Sequence, residues 1–424
     1  MKKAAHEHST SFTNLLILLG MLSVLVAFTG SQAFAGAAPG IKVVGNQFVT
    51  TSAGTLGLKS VSANQAVVLR GVNISGTEYS CLGDGTNDGS ATVWDSSNLP
   101  ASTSDYQAVV NGMINNWHAN VVRIPLNEDC WLGVPTSGQS TMIYGSNYIT
   151  PIVNFINVAN ASGMVAEVDL HVGGGPELVN AKSNQIDNFP AMDTNYSLQF
   201  WQSVAAQFKN NPSVIFNLTN EPEFLGSGST AAADWTCYLN GGCNTTACEN
   251  NSCQGPNGSG NTWNVQGLAS VVTAIRNEGA SNVIIIAGLD YSNQLNDWTT
   301  YVPEYVTDKQ IAAGIHLYYD LDCTTATCWN STWTPIFQTA GYPIVIDETG
   351  ELPKKQGGDG CTGTETKSMV SWANGSSPQV GYWFWAFTKA GGCSEPALLK
   401  TNSSPFTAAS GYGAAAQSAL TAIQ

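Results

Sequence analysis

The sequence predicts an α/β protein built as a (β/α)8 barrel of the TIM type, and three observations lead there. Eight short apolar runs, at 67–76, 120–126, 164–175, 214–218, 282–290, 311–320, 343–351 and 380–387, alternate with helix-like segments. Several runs are apolar at consecutive positions, as expected for strands buried on both faces. Polar residues able to do chemistry collect at the carboxyl ends of these runs, where a barrel assembles its site. Alternation argues for a parallel sheet, and eight units favour closing it over leaving it open.

The elements follow in order. Lys2 and Lys3 precede the apolar run at 15–28, and Ala33-Phe34-Ala35 follows it. This is the pattern of a secretory signal cleaved after Ala35, and the run is short for a membrane span. The domain is therefore expected to be residues 36–424. It opens with a hairpin, IKVVGNQFVT (41–50), turning at Gly45-Asn46. Helices are expected at 105–120, 148–163, 195–211, 263–279, 332–340, 364–374 and 407–424, with Gly163 as a C-cap and Pro212 as a stop. A cysteine-rich insertion at 225–260 interrupts the alternation after the fourth run. No Pro/Thr/Ser linker joins a further module, and the Asn-x-Ser/Thr sequons read as chance in an Asn- and Ser-rich chain.

Composition narrows the function. Without the signal the chain has 13 basic and 29 acidic residues, a balance of −16. That argues against nucleic acid or an anionic membrane as partner. Ten cysteines, all after the signal, point to disulfides in a secreted, extracellular protein. Local spacing favours Cys323–Cys328. The cluster Cys237, Cys243, Cys248 and Cys253 reads as a stapled loop, since its spacings are not those of zinc sites. No H-E-x-x-H motif occurs, so neither a metal nor a cofactor is expected.

The chemistry centres on VIFNLTNEPEF (214–224). Pro222 biases Glu221 to an extended backbone and stops the strand, leaving a carboxylate at its mouth. Alone, this could equally be a solvated loop. Other exits add Arg123 in the second strand, His171 after the third, Asn220 and Glu221 after the fourth, His316 and Tyr318 in the sixth, Glu348 in the seventh and Trp385 in the eighth. Each has a structural explanation on its own, but a barrel would bring all of them to one mouth.

RGVN (70–73), RIP (123–125), DLH (169–171), NEP (220–222), HLYY (316–319), the DE of IDETG (347–348) and WFWAF (383–387) occur in that order. In these motifs the chain resembles glycoside hydrolase family 5, the clan A family of cellulases and mannanases, over nearly its whole mature length. The resemblance implies Glu221 as general acid/base and Glu348 as nucleophile. It implies that Arg123 and Tyr318 hold the nucleophile and that Asn220 bonds the sugar 2-OH. His171 and His316 would line the cleavage subsite, and Trp385 would stack under the sugar. The chemistry agrees, because glycoside hydrolysis needs one protonated and one ionised carboxyl across the bond. Glu223, Asp347, Glu351 and Asp169 are neighbours without an expected catalytic role. Strand alternation groups Ile344, Ile346 and Glu348 against Asp347 but leaves open which set points inward. The Trp94 and Trp131 loops would shape the cleft, and Trp131, Trp263 and Trp329 are candidates for further sugar platforms or for loop core.

The expected activity is a secreted retaining endo-β-1,4-glucanase; the alternatives on the same machinery are an endo-β-1,4-mannanase or another β-glucanase. A non-catalytic sugar-binding barrel is the alternative of another class, disfavoured because both glutamates are present. The expected partner is a β-linked polysaccharide or oligosaccharide, and the expected state is a monomer.

Overall fold

The computed structural model describes residues 36–81, 103–134, 143–173, 191–222, 231–245, 263–389, 393 and 396–422. The expected signal, Trp94, Glu223, Cys248 and Cys253 lie outside these residues. The eight apolar runs form the barrel strands β1 (Arg70–Asn73), β2 (Val121–Asn127), β3 (Val165–Val172), β4 (Val214–Asn217), β5 (Ile284–Ala287), β6 (Ile311–Leu317), β7 (Ile344–Thr349) and β8 (Gly381–Phe384). They close in the order β5-β6-β7-β8-β1-β2-β3-β4, and every neighbouring pair is parallel. All their residues are buried, which explains the unbroken apolar runs. Gly71 lets β1 pass close to β2, since an added Cβ would lie 1.8 Å from the Val121 carbonyl oxygen.

Two apolar layers sit on the two faces of this cylinder. Leu69, Val121, Val165, Ile215, Ile285, Ala312, Val345 and Trp383 fill its inside, packed on Ile41, Val43 and Phe48 of the N-terminal hairpin. The larger outer core lies between the strands and the surrounding helices. The hairpin pairs Ile41–Val44 with Gln47–Thr50 around Gly45, whose φ of 59° needs a residue tolerant of that region. Gln310 fixes it to the barrel by accepting from Val43 N at 2.8 Å and donating to Val43 O at 3.1 Å.

The helices follow the apolar periodicity. In Leu268–Asn277 the buried residues are Leu268, Val271, Val272, Ala274 and Ile275, a one-sided stripe. Ser146–Ala161 ends before Gly163 at φ 89°, as expected of a glycine C-cap. Two helices start five residues later than their sequence predicts, at Leu268 and Tyr412. Residues 263–267 do not join the helix at 268 because Trp263–Asn264 pairs with Asn244–Thr245 and Val265 bridges Asp193. The last helix begins at Tyr412, after Gly411 at φ 72°.

Four disulfides lie among the described residues: Cys81–Cys130, Cys237–Cys243, Cys323–Cys328 and Cys361–Cys393. Each of these cysteines lies in the segment that follows the carboxyl end of a barrel strand, with Cys130, Cys237 and Cys328 inside helices there. Among the described residues no helix is long and apolar enough to cross a membrane.

Candidate active site

Strand ends at one mouth of the barrel bring together all eight candidate residues. Arg123 projects inside from β2, two residues beyond Val121 of the inner layer, and is fully buried. Its Nη1 donates to Glu348 Oε2 at 2.8 Å and to Asn73 Oδ1 at 3.1 Å. Nη2 donates to Asn220 Oδ1 at 2.6 Å and pairs with Asp169 Oδ2 at 3.2 Å. Nε donates to Glu167 Oε1 at 3.1 Å. Burial works against this cation, but nearby charges, those of Asp169 and Glu348 above all, outweigh it and hold Arg123 protonated.

Tyr318 donates its hydroxyl to the other oxygen of Glu348, Oε1, at 2.7 Å. Burial and the charges of Glu348 and Glu221 push that phenol well above its ordinary pKa, so it remains a donor. Glu348 thus has a donor on each oxygen. Glu221 lies across from it, with Oε1 at 2.8 Å from His316 Nδ1. Burial pulls His316 below its ordinary pKa, which favours a neutral imidazole. His171 bonds Asp169 Oδ2 through Nδ1 at 3.0 Å and lies parallel to Trp385, with ring centroids 5.5 Å apart. Burial opposes charge on His171, but the charge and hydrogen bond of Asp169 prevail and raise it to about 9.

Single donor atoms of Glu221, His316 and Glu348 all lie within 4.8 Å of one another. That spacing could bracket a divalent ion, although His316 and Glu221 already use two of the donors on each other. Glu221, Glu348, Tyr318 and Trp385 line a cavity of about 450 Å³, together with Tyr291. Its size and mixed lining suit a polar ligand with an apolar face.

The packing on β7 resolves which neighbours point inward. Ile344 and Ile346 lie in the outer core and Val345 in the inner layer, so alternation sends Asp347 inward. Asp347 accepts from Ile315 N at 2.8 Å and from Asn217 Nδ2 at 2.6 Å, inside the barrel. Glu348 also reaches Arg123 because pairing shifts between Ile346 and Thr349 on one side and between Ile315 and His316 on the other. Trp131 and Trp329 are 2% and 0% exposed and belong to the core. Motif reading passed over Asn73, Glu167 and Asn217, which surround Arg123 and Asp347. A charged residue inside the apolar run MVAEVDLH was the available signal for Glu167.

A barrel with two carboxyls, paired donors and an aromatic wall at one mouth defines an enzyme that acts on sugar bonds. Residues 85–391 match the family described as cellulase (glycosyl hydrolase family 5). The chain belongs to that family and is a glycoside hydrolase. Its fold is similar to a β-glucanase from Saccharophagus degradans, at 17% identity and a TM-score of 0.58, covering 92% of this chain and 94% of that one. It is also similar to the catalytic domain of an endoglucanase from Thermobifida fusca in complex with cellotetraose, at 14% identity and a TM-score of 0.55, covering 90% and 97%. A mannanase catalytic domain from Streptomyces sp. SirexAA-E gives 16% identity and a TM-score of 0.50, covering 91% and 92%.

Proposed function

We propose that this chain is a secreted, retaining endo-β-1,4-glucanase, with Glu221 as general acid/base and Glu348 as nucleophile. The observation that carries this reading is the closeness of the two carboxyls, which offer oxygens within 4.8 Å of each other. Direct attack on the anomeric carbon needs carboxyl groups about 5–5.5 Å apart, whereas a water between them needs roughly 6.5–9.5 Å. Neutral His316 donates from Nδ1 to Glu221 Oε1, leaving the other oxygen to carry the proton to the leaving group. Arg123 and Tyr318 hold and aim Glu348 through a donor on each oxygen until it bonds to the sugar. Glu221, now a carboxylate, then takes a proton from the water that breaks the glycosyl ester. Asn220 holds the 2-OH, Trp385 covers the apolar face of the ring, and His171 holds that indole from behind.

Secretion is supported by the disulfides and by the signal pattern at 1–35. The names of two similar structures, a β-glucanase and an endoglucanase holding cellotetraose, favour glucan. The similar mannanase makes galactomannan the comparison substrate. The expected result is a higher kcat/KM on carboxymethylcellulose than on galactomannan, with the β-anomer as first product. Glu348→Ala should nearly abolish turnover, and azide should restore cleavage of an activated aryl glycoside as the α-glycosyl azide. An α-anomer as the first product of the parent enzyme would end the double-displacement reading.

A further inference from the structure

Arg123 donates four hydrogen bonds, to Glu167, Asn73, Glu348 and Asn220, and forms an ion pair with Asp169 at 3.2 Å. Three of those partners are carboxyls: Glu167, Asp169 and Glu348. A fourth, Asp347, is tied in through Asn217, whose Nδ2 donates to Glu167 Oε1 at 3.1 Å and to Asp347 Oδ2 at 2.6 Å. Glu167, Asp169 and Asp347 are fully buried. Even with His171 protonated beside Asp169, four ionised carboxyls would leave net negative charge in a dry core. A buried acid so placed keeps its proton.

The hydrogen bonds say which one. Both oxygens of Asp347 receive donors, from Ile315 and Asn217. Both oxygens of Glu348 do too, from Tyr318 and Arg123. Asp169 has one oxygen without a partner, but its other oxygen lies between two cationic groups, Arg123 and His171. Glu167 accepts only through Oε1, and its Oε2 is buried with no hydrogen-bond partner. A proton at Oε2 removes the charge where no donor offsets it. Burial and the nearby charge of Asp347 act on Glu167 in the same direction. His316 on β6 approaches this network at Asp347, with Nε2 4.0 Å from Oδ1, and at Glu348, with Nδ1 3.8 Å from Oε2.

We propose that Glu167 is a positioning residue: with a proton on Oε2 it accepts the Nε–H of Arg123 as a neutral group, leaving the guanidinium charge to Glu348 and Asp169. This rests on Glu348 being the nucleophile. The test compares the parent enzyme with Glu167→Gln and Glu167→Ala. In the infrared difference spectrum of parent against Glu167→Gln, a protonated-carboxyl carbonyl band should be present in the parent and lost in the variant. Glu167→Gln should keep kcat/KM within about threefold, as a neutral acceptor of the same shape. Its activity should also hold further into the alkaline range, because no proton remains to be lost there. Glu167→Ala lets the Arg123 fork shift and should lose roughly 10²-fold, mainly in kcat. Absence of the band overturns the proposal, as does a loss in folded Glu167→Gln equal to that in Glu167→Ala, or parental activity in Glu167→Ala. Should Glu167→Ala fail to fold, the Gln variant and the spectrum decide. The band reports the proton whether or not azide rescues Glu348→Ala, so failure of the nucleophile assignment is seen separately.

Discussion

His171 and Glu78 tie stability to pH, and both act with the same sign. His171 is raised from 6.5 to about 9 in the fold, because Asp169 outweighs burial. Its stabilisation is complete below pH ~6.5 and is lost as pH rises towards about 9. Glu78 is raised from 4.5 to about 7, by burial above all. The folded state therefore binds the extra proton, and stability falls as pH rises through that window too. Each shift corresponds to something on the order of 3 kcal/mol. Thermal unfolding midpoints should decline from pH 4.5 to 9, with Glu78→Gln flattening the lower part and His171→Asn the upper. An unchanged upper slope in His171→Asn would sink the assignment. The site residues named from motifs could be read because catalysis restricts residue type at strand exits. That Glu348 joins Asp347 on the inner side could not, because the period of two breaks where the ladder slips between Ile346 and Thr349. Only the pairing with β6 and β8 shows that slip, and pairing is long-range information.

At the scale of elements, the hairpin Ile41–Thr50 does a different job from the strand exits. It buries Ile41, Val43 and Phe48 against the inner apolar layer, at the end of the barrel away from the carboxyl ends of the strands. Phe48→Ala should cost about 3–5 kcal/mol, through lost burial and the cavity left behind. Because Phe48 is remote from Glu221 and Glu348, kcat and KM of the folded variant should match the parent. Denaturant titration beside steady-state kinetics would check both halves, and a lowered kcat would mean the two ends are coupled. The hairpin was legible from its turn residues and alternating pattern. The short strand at Ala66–Val67 was not: it continues an apolar run that belongs to β1, yet pairs with the hairpin. Apolar continuity does not reveal where a chain changes sheets.

Over the whole molecule, covalent cross-links and chemistry share one end. The disulfides lie in the segments that follow the strands, and Cys361–Cys393 ties the segment after β7 to the one after β8. Replacing both cysteines with serine should cost about 4 kcal/mol for a loop of this length. It should raise KM more than it lowers kcat, since Leu352 and Pro396 from these segments line the cavity. Equal denaturant midpoints for parent and variant would count against this. Cys323–Cys328 was legible because its spacing is local, while Cys81–Cys130 and Cys361–Cys393 join segments whose proximity only barrel closure creates. The opposite end holds the start of the described chain: Gly36 bonds Thr55, and Ala38 bonds Asn160. Residue 36 therefore leaves from the hairpin side. Fixed to a bead through this end, the domain would turn its cleft outward, towards an insoluble polymer surface rather than the support.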